Sequence, residues 1–364
     1  MDLACAAGFR SSSAYARSRG IGSPPPPARP AMHQSTLNRS PVRILLYEWC
    51  CSGGLVGCGP GADFGGIARE GRMILEALAA DAVRAAEIDV TVLVDDGISL
   101  TLPAEVHVQP VARGGEVDAL VAAANEHDWT VIVAPETDGI LASRVAAARD
   151  AGARVLAPAA AFIAVASDKQ ATANALAAAG VPVPAGRSLA QGEPVPVGFH
   201  MPAVRKLRDG VGCDGMQIIR TRDVPPALAA TRLEAFVAGT PVGVSCLCGP
   251  EEVIVLPPMR QRFTAGDAPR YVGSDLLDDP ELARRAEALA RRAVAAIDLA
   301  AGGEAAAGWV GVDMILGLRD DGRADRVLEV NPRVTTSFVA LAARSDKSLV
   351  QTLARSGSGR AGKQ

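Results

Sequence analysis

Gly311-Val-Asp313-Met-Ile-Leu316 and Leu328-Glu329-Val-Asn331-Pro-Arg333 are two apolar runs, each broken by acid or amide side chains. Between them stands Asp320-Asp321-Gly322, a signal for a hairpin-type turn. Trp309–Leu316 and Arg326–Asn331 are therefore predicted to be paired strands. Residues two apart on a strand share a face, so Glu329 and Asn331 point the same way, with Asp313 on the neighbouring strand. An Asp, a Glu and an Asn make an all-oxygen set of the kind Mg²⁺ uses when it also takes phosphate oxygens. A solvated hairpin with scattered acids is the bland alternative. Against it, carboxylates inside apolar runs are costly to bury unless a metal or cation partners them.

Working upstream, Leu233-Glu234-Ala-Phe-Val237 precedes Gly239 and could offer one acceptor and backbone groups to an adenine edge; an edge-strand Glu reads equally well. Val204-Arg-Lys206 runs into a loop holding Gly210, Gly212 and Gly215. Glycines let backbone N–H groups close over phosphate oxygens, and lysine supplies a point charge. No GK[ST] follows, so this is not a Walker loop, and a plain hairpin loop stays open. Ser167-Asp168-Lys169 opens a predicted helix over Asp168–Ala179, with Ser167 or Asp168 as its cap. A lysine in the first turn opposes the helix dipole, which makes sense if an anion binds beside it. Only four of the 37 basic residues are lysines (Lys169, Lys206, Lys347 and Lys363), so interior lysines stand out in a chain that otherwise uses arginine.

Strands and helices alternate from Val42 to residue 158: strands at Val42–Glu48, Asp89–Val94, Thr130–Ala134 and Arg154–Ala157, helices near Glu70–Ala86, Val117–Asn125 and Ile140–Ala151. That order predicts a parallel sheet. Short strands then follow in quick succession (Ala203–Leu207, Met216–Arg220, Arg232–Val237, Val242–Leu247, Val253–Leu256, Met259–Thr264), so this part is predicted to be mainly antiparallel, with one long helix over Pro280–Leu299. Residues 1–40 are Ser-, Arg-, Ala- and Pro-rich without apolar periodicity and are expected to be disordered; initiation at Met32 is an alternative reading of the start.

Length and composition bound the function. The chain has 364 residues, 49% of them hydrophobic, enough for two or three domains with real cores. A net charge of −3 gives no global basic field for nucleic acid or anionic lipid, and 4% aromatics gives no base-stacking platform. No stretch has the ~20 strongly apolar residues of a membrane span. Seven cysteines match no disulfide framework or paired zinc site, so a cytoplasmic address is expected. Gly57-Cys-Gly-Pro-Gly61 lacks dinucleotide-loop spacing, which argues against a Rossmann dehydrogenase.

Taken together and in this order, these elements resemble the ATP-grasp superfamily over residues 42–345. The resemblance implies an α/β plus α+β chain: an N-terminal parallel-sheet (pre-ATP-grasp) domain followed by a two-subdomain ATP-grasp fold. The expected divisions are a disordered segment 1–40, a substrate domain 41–158, a small subdomain 159–232, a C-terminal subdomain 233–345, and a helix and frayed tail 346–364. It implies ATP held at its phosphates by Lys169 and Lys206, with the Gly210, Gly212 and Gly215 loop closing over them and Glu234–Val237 at the adenine. Asp313, Glu329 and Asn331 match the magnesium ligands for one or two Mg²⁺, with Mn²⁺ an alternative, and Arg333 lies near the transferred phosphoryl. Where relatives often carry a ribose-binding Glu, this chain has Thr240-Pro241. Arg43–Glu48, Ser52–Leu55, Glu70-Gly71 and Ala134–Ile140 look like the tyramine–glutamate ligases of methanofuran-type cofactor biosynthesis. The expected chemistry is ATP-dependent amide formation between a small-molecule carboxylate and an amine. A dipeptide ligase, a kinase and a nucleotide-binding regulator without turnover are the alternatives. Glu48 and Ser52–Gly54, at a strand's carboxyl end, are assigned the amine or amino-acid substrate. Arg262, with Arg260, is assigned a substrate carboxylate. A homodimer is compatible with the sequence.

Overall fold

A computed structural model describes residues 40–56, 65–303 and 306–358. Of the segment expected to be disordered (1–40), residues 1–39 lie outside them, as does the tail beyond residue 358. The first lobe runs β1 (Val42–Glu48), α1 (Gly65–Ala82), β2 (Ile88–Asp95), β3 (His107–Val111), α2 (Glu116–Asn125), β4 (Trp129–Val133) and α3 (Ile140–Asp150). Its four strands are parallel in the order β3-β2-β1-β4. β1 is buried from Ile44 to Glu48 because helices cover both faces, which is why it reads as a continuous apolar run.

Two helices follow, α4 (Ala160–Ala166) and α5 (Lys169–Ala178), then β5 (Gly186–Leu189), β6 (Ala203–Leu207), β7 (Gln217–Ile219) and β8 (Thr231–Ala235). These four strands form a small antiparallel sheet in the order β5-β8-β6-β7. The large sheet is built from β9 (Gly239–Cys248), β10 (Val253–Val255), β11 (Met259–Phe263), β12 (Tyr271–Leu276), β13 (Gly308–Gly317) and β14 (Arg326–Asn331), in the order β12-β11-β9-β13-β14 with β10 on β9. Between β12 and β13 runs α6 (Pro280–Ala300), started by the Asp279 cap and Pro280 in its first turn. Its apolar stripe, Ala286, Leu289, Ala293 and Ile297, packs on the large sheet. The chain closes with α7 (Ser337–Ala342) and α8 (Leu349–Gly357). No described helix is long and apolar enough to cross a membrane.

The division expected at 232/233 cuts through β8, which belongs to the small sheet. Helices α4 and α5, expected with the small subdomain, place Phe162, Ala166 and Leu176 in the core of the large sheet. The strand expected at Arg154–Ala157 is reduced to a single bridge, Thr130 to Val155. Helices α7 and α8 put Phe338, Leu349 and Leu353 into one apolar cluster with Leu75 and Leu78 of α1 and Leu247 and Trp309 of the large sheet.

Candidate active site

The large sheet forms the floor of a cleft of about 440 Å³, and the small sheet forms its roof. On the floor, Asp313 of β13 sits directly across from Glu329 of β14. Asn331 donates from Nδ2 to Asp313 Oδ2 at 2.9 Å, and Gln261 of β11 donates from Nε2 to Oδ1 at 2.7 Å. The ladder partners run Asp313–Glu329 and then Met314–Val327, so Leu328 is an extra residue on β14. Such a bulge re-aims neighbouring side chains. Leu328 and Glu329 both line the cleft.

The two lysines come from different elements, Lys169 from the start of α5 and Lys206 from β6 of the roof. Asp168 caps α5 by accepting from Gln170 and Ala171 N–H at 2.8 and 3.1 Å, which sets Lys169 at the first turn. Lys169 Nζ lies 3.3 Å from Glu329 Oε2 and also donates to the Gly210 carbonyl. Lys206 Nζ lies 2.9 Å from Glu234 Oε2 and donates to the carbonyl of Leu328, the bulge residue, at 3.3 Å. Gly210 and Gly212 line the cleft, and Gly215, also assigned to the loop over the phosphates, does not. Gly212 and Gly215 hold φ of +58° and +65°, a region that favours glycine. The loop's entry is pinned to the first lobe, since the Asp209 carbonyl accepts from Thr137 Oγ1 and Asp209 Oδ2 from Asp138 N–H.

Electrostatics bind the floor together. Burial and the neighbouring Glu329 charge push the Asp313 carboxyl up to about 7. Burial also works against the Glu329 charge, but Lys169 and Lys206 beside it hold its carboxyl below the usual glutamate value. Two desolvated carboxylates with an amide oxygen beside them suit a hard divalent cation that completes its shell with phosphate oxygens. Among the described residues no group of three or more His, Cys, Asp or Glu side chains is arranged to hold a metal.

Three assignments change. Arg262 is exposed and pairs with Asp275 at 3.1 Å. With Arg260 it lies on the face of β11 opposite the one that Met259, Gln261 and Phe263 turn to the cleft, so neither arginine reaches the site. Glu234 is 3% exposed, and both its oxygens are engaged, Oε1 by Arg232 Nε at 2.6 Å and Oε2 by Lys206. It is not a free acceptor for a base edge; Val237 lines the cleft near it. Ser52 is fully buried and donates to the Leu93 carbonyl at 3.0 Å, so it anchors its loop.

At the end of the floor Arg333 Nε pairs with Glu136 at 3.0 Å. Beyond it a small cavity of about 30 Å³ is lined by Glu48, Glu70, Gly71 and Arg333. Glu48 is 2% exposed and accepts from Cys51 N–H at 2.8 Å. Burial pushes the carboxyls of Glu48 and Glu70 up. Glu70 lines this cavity and the main cleft alike. Sequence reasoning missed Gln261, Glu136 and the site position of Glu70, since none stands in a run whose pattern demands it.

Residues 166–337 match the ATP-grasp domain family, and residues 88–163 match the pre-ATP-grasp domain family. No curated protein matches the chain. Among solved structures it is similar to an ATP-grasp superfamily protein from Archaeoglobus fulgidus (TM-score 0.64, 23% identity, 87% of this chain and 89% of that one). An L-amino acid ligase from Bacillus licheniformis gives TM-score 0.63 at 15% identity over 87% and 74% of the two chains. The D-alanine–D-alanine ligase from Bacillus anthracis gives 0.57 at 15% over 87% and 97%. At these identities the likenesses speak to the fold, and the fold agrees with the matched domains: a parallel-sheet domain followed by antiparallel sheets that enclose a cleft between them. The chain belongs to the ATP-grasp superfamily.

Proposed function

We propose that the protein is an ATP-dependent carboxylate–amine ligase. The observation that carries this reading is one cleft in which Lys169 and Lys206 face Asp313, Glu329 and Asn331, with Arg333 at the end toward the first lobe. Phosphoryl transfer is chiefly positioning and charge neutralisation, and this set supplies both. Lys169 and Lys206 exchange their carboxylate and carbonyl partners for phosphate oxygens. Gly210–Gly215 folds its backbone over those oxygens and excludes water. Asp313, Glu329 and Asn331 would hold magnesium, which when bound neutralises charge developing on the transferred phosphoryl. Arg333, kept in place by Glu136, orients the substrate carboxylate that accepts the phosphoryl group and becomes an acyl phosphate. The amine then forms the C–N bond as the bond to phosphate oxygen breaks, approaching from the side of Glu48 and Glu70.

The finer reading is glutamate joined to an aromatic amine, in a step of a methanofuran-like cofactor route. It rests on the sequence around Glu48, Glu70 and Ala134–Ile140. The test is a screen of acid and amine pairs for ADP release by the full chain. Release that requires both partners, with an amide product by mass spectrometry, is the expected result. ADP release that needs the acid but ignores the amine would point to a kinase, and none across a broad panel would sink the ligase reading.

A further inference from the structure

Between the two outward arginines of β11 stands Gln261, which faces the cleft. Strands β11 and β13 are separated by β9 and so lie roughly 10 Å apart. A glutamine crosses that span only if the intervening position has no side chain. Gly243 of β9 is that position: it pairs with Met259 on one side and Asp313 on the other. A Cβ there would lie 2.9 Å from Gln261 Nε2 and 3.2 Å from Asp313 Oδ1. Gln261 passes through the gap and donates to Asp313 Oδ1 at 2.7 Å, while Asn331 holds Oδ2 at 2.9 Å.

We propose that Gln261 is a positioning residue that sets the Asp313 carboxylate for a divalent cation, through the opening that Gly243 leaves in β9. The inference rests on the reading of Asp313, Glu329 and Asn331 as a cation site. With one donor on each oxygen the carboxylate cannot rotate, yet each oxygen keeps a lone pair for a metal. The donor's neutrality matters as much as its place. A lysine or arginine at 261 would compensate the charge of Asp313 itself, whereas an amide fixes the group and leaves its charge to the cation. Removing such an outer partner of a metal ligand typically costs 10–100-fold in metal affinity.

The test is Mn²⁺ titration of the full chain with a non-hydrolysable ATP analogue, followed by electron paramagnetic resonance, alongside metal-free affinity for the analogue by calorimetry. Gln261→Asn keeps the amide but is one methylene short. It is expected to weaken Mn²⁺ binding by about tenfold or more while metal-free nucleotide affinity stays within about twofold. Gly243→Ala, which closes the gap, is expected to do the same, and the double variant to lose no more than either single one. Gln261→Glu, equal in size, guards against a folding defect in the shorter variant and is expected to weaken Mn²⁺ binding as well. Unchanged Mn²⁺ affinity in Gln261→Asn and Gln261→Glu, equal losses of metal-bound and metal-free affinity, or additive losses in the double variant would each overturn the inference and leave the cation site standing. A wild-type chain whose nucleotide binding ignores Mn²⁺ would instead overturn the cation site, and the inference with it.

Discussion

Lys206 is held by two acceptors of different kinds, the Glu234 carboxylate and the Leu328 carbonyl. The pairing keeps a cation desolvated and aimed before any nucleotide arrives. Lys206→Met is expected to lower ADP formation by about 10²-fold or more, the scale for loss of one preorganised charge contact. Steady-state rates near wild type would remove Lys206 from the phosphate site. Glu329→Gln keeps size and hydrogen bonding but removes a charge from the proposed cation site. It is expected to fold and bind nucleotide weakly, and to lose most of the gain in affinity that Mg²⁺ brings. Calorimetry with an ATP analogue, with and without Mg²⁺, checks this; an unchanged Mg²⁺ dependence would make the acids structural. At this scale the sequence was legible wherever residue type contradicted its surroundings. An Asp in an apolar strand, a lysine in an arginine-rich chain and a lysine opposing a helix dipole all announced themselves. Arg260 and Arg262 misled because charge alone does not say which face of a five-residue strand is inward. The same ignorance of strand parity hid Gln261 between them.

Helix α8 depends on a carboxylate borrowed from α1. Asp81 Oδ2 accepts from Ser348 Oγ at 2.9 Å and from Val350 N–H at 2.8 Å. Removing it as Asp81→Ala strips a buried cap of its acceptor and is expected to cost about 1–3 kcal/mol in chemical denaturation. Burial pushes the Asp81 carboxyl above its ordinary value of 3.8. The folded state therefore holds a proton that the unfolded state has released, so this group's contribution to stability falls as pH rises from 3.8 through the folded value. Asp81→Asn is expected to flatten that slope, and a slope identical to wild type would show that Asp81 does not govern it. Long elements such as α6 and β13 were readable because caps and apolar runs agree. The unread strands β3, β5 and β12 have no such agreement. β3 contains Pro110 and buries one residue of five, and β12 carries Gly273 with half its residues exposed. Pairing with neighbours makes them strands, and pairing is not written in their own composition.

Across the molecule, apolar support is uneven. The small sheet rests on five buried residues, Leu189, Val195, Ala203, Ile219 and Leu233, while a far larger cluster joins α1, α7 and α8 to the large sheet. Local opening free energy follows such support. Hydrogen exchange is expected to be fastest, among the strands, in β5–β8 and slowest in β9 and β13, and an ATP analogue with Mg²⁺ is expected to slow it selectively around Lys206 and Gly210–Gly215. Uniform exchange across both sheets, or protection confined to the large sheet, would contradict this. The division of labour between sheets was foreseeable from strand density along the chain. The packing of α4 and α5 on the large sheet was not, since a helix's own sequence shows that it has an apolar face without naming the surface that covers it.

The extra residue at Leu328 makes the cleft sensitive to chain length as well as to residue identity. Loss of one codon there would let β14 pair evenly with β13. The strand would lose the local bend of the bulge, with Val327 and Glu329 keeping Met314 and Asp313 as partners, and Lys206 would lose its backbone acceptor. Substitution at 328 with another apolar residue would disturb neither. A library scanned by single-codon deletions should therefore show a sharp sensitivity at this position that a library of substitutions passes over.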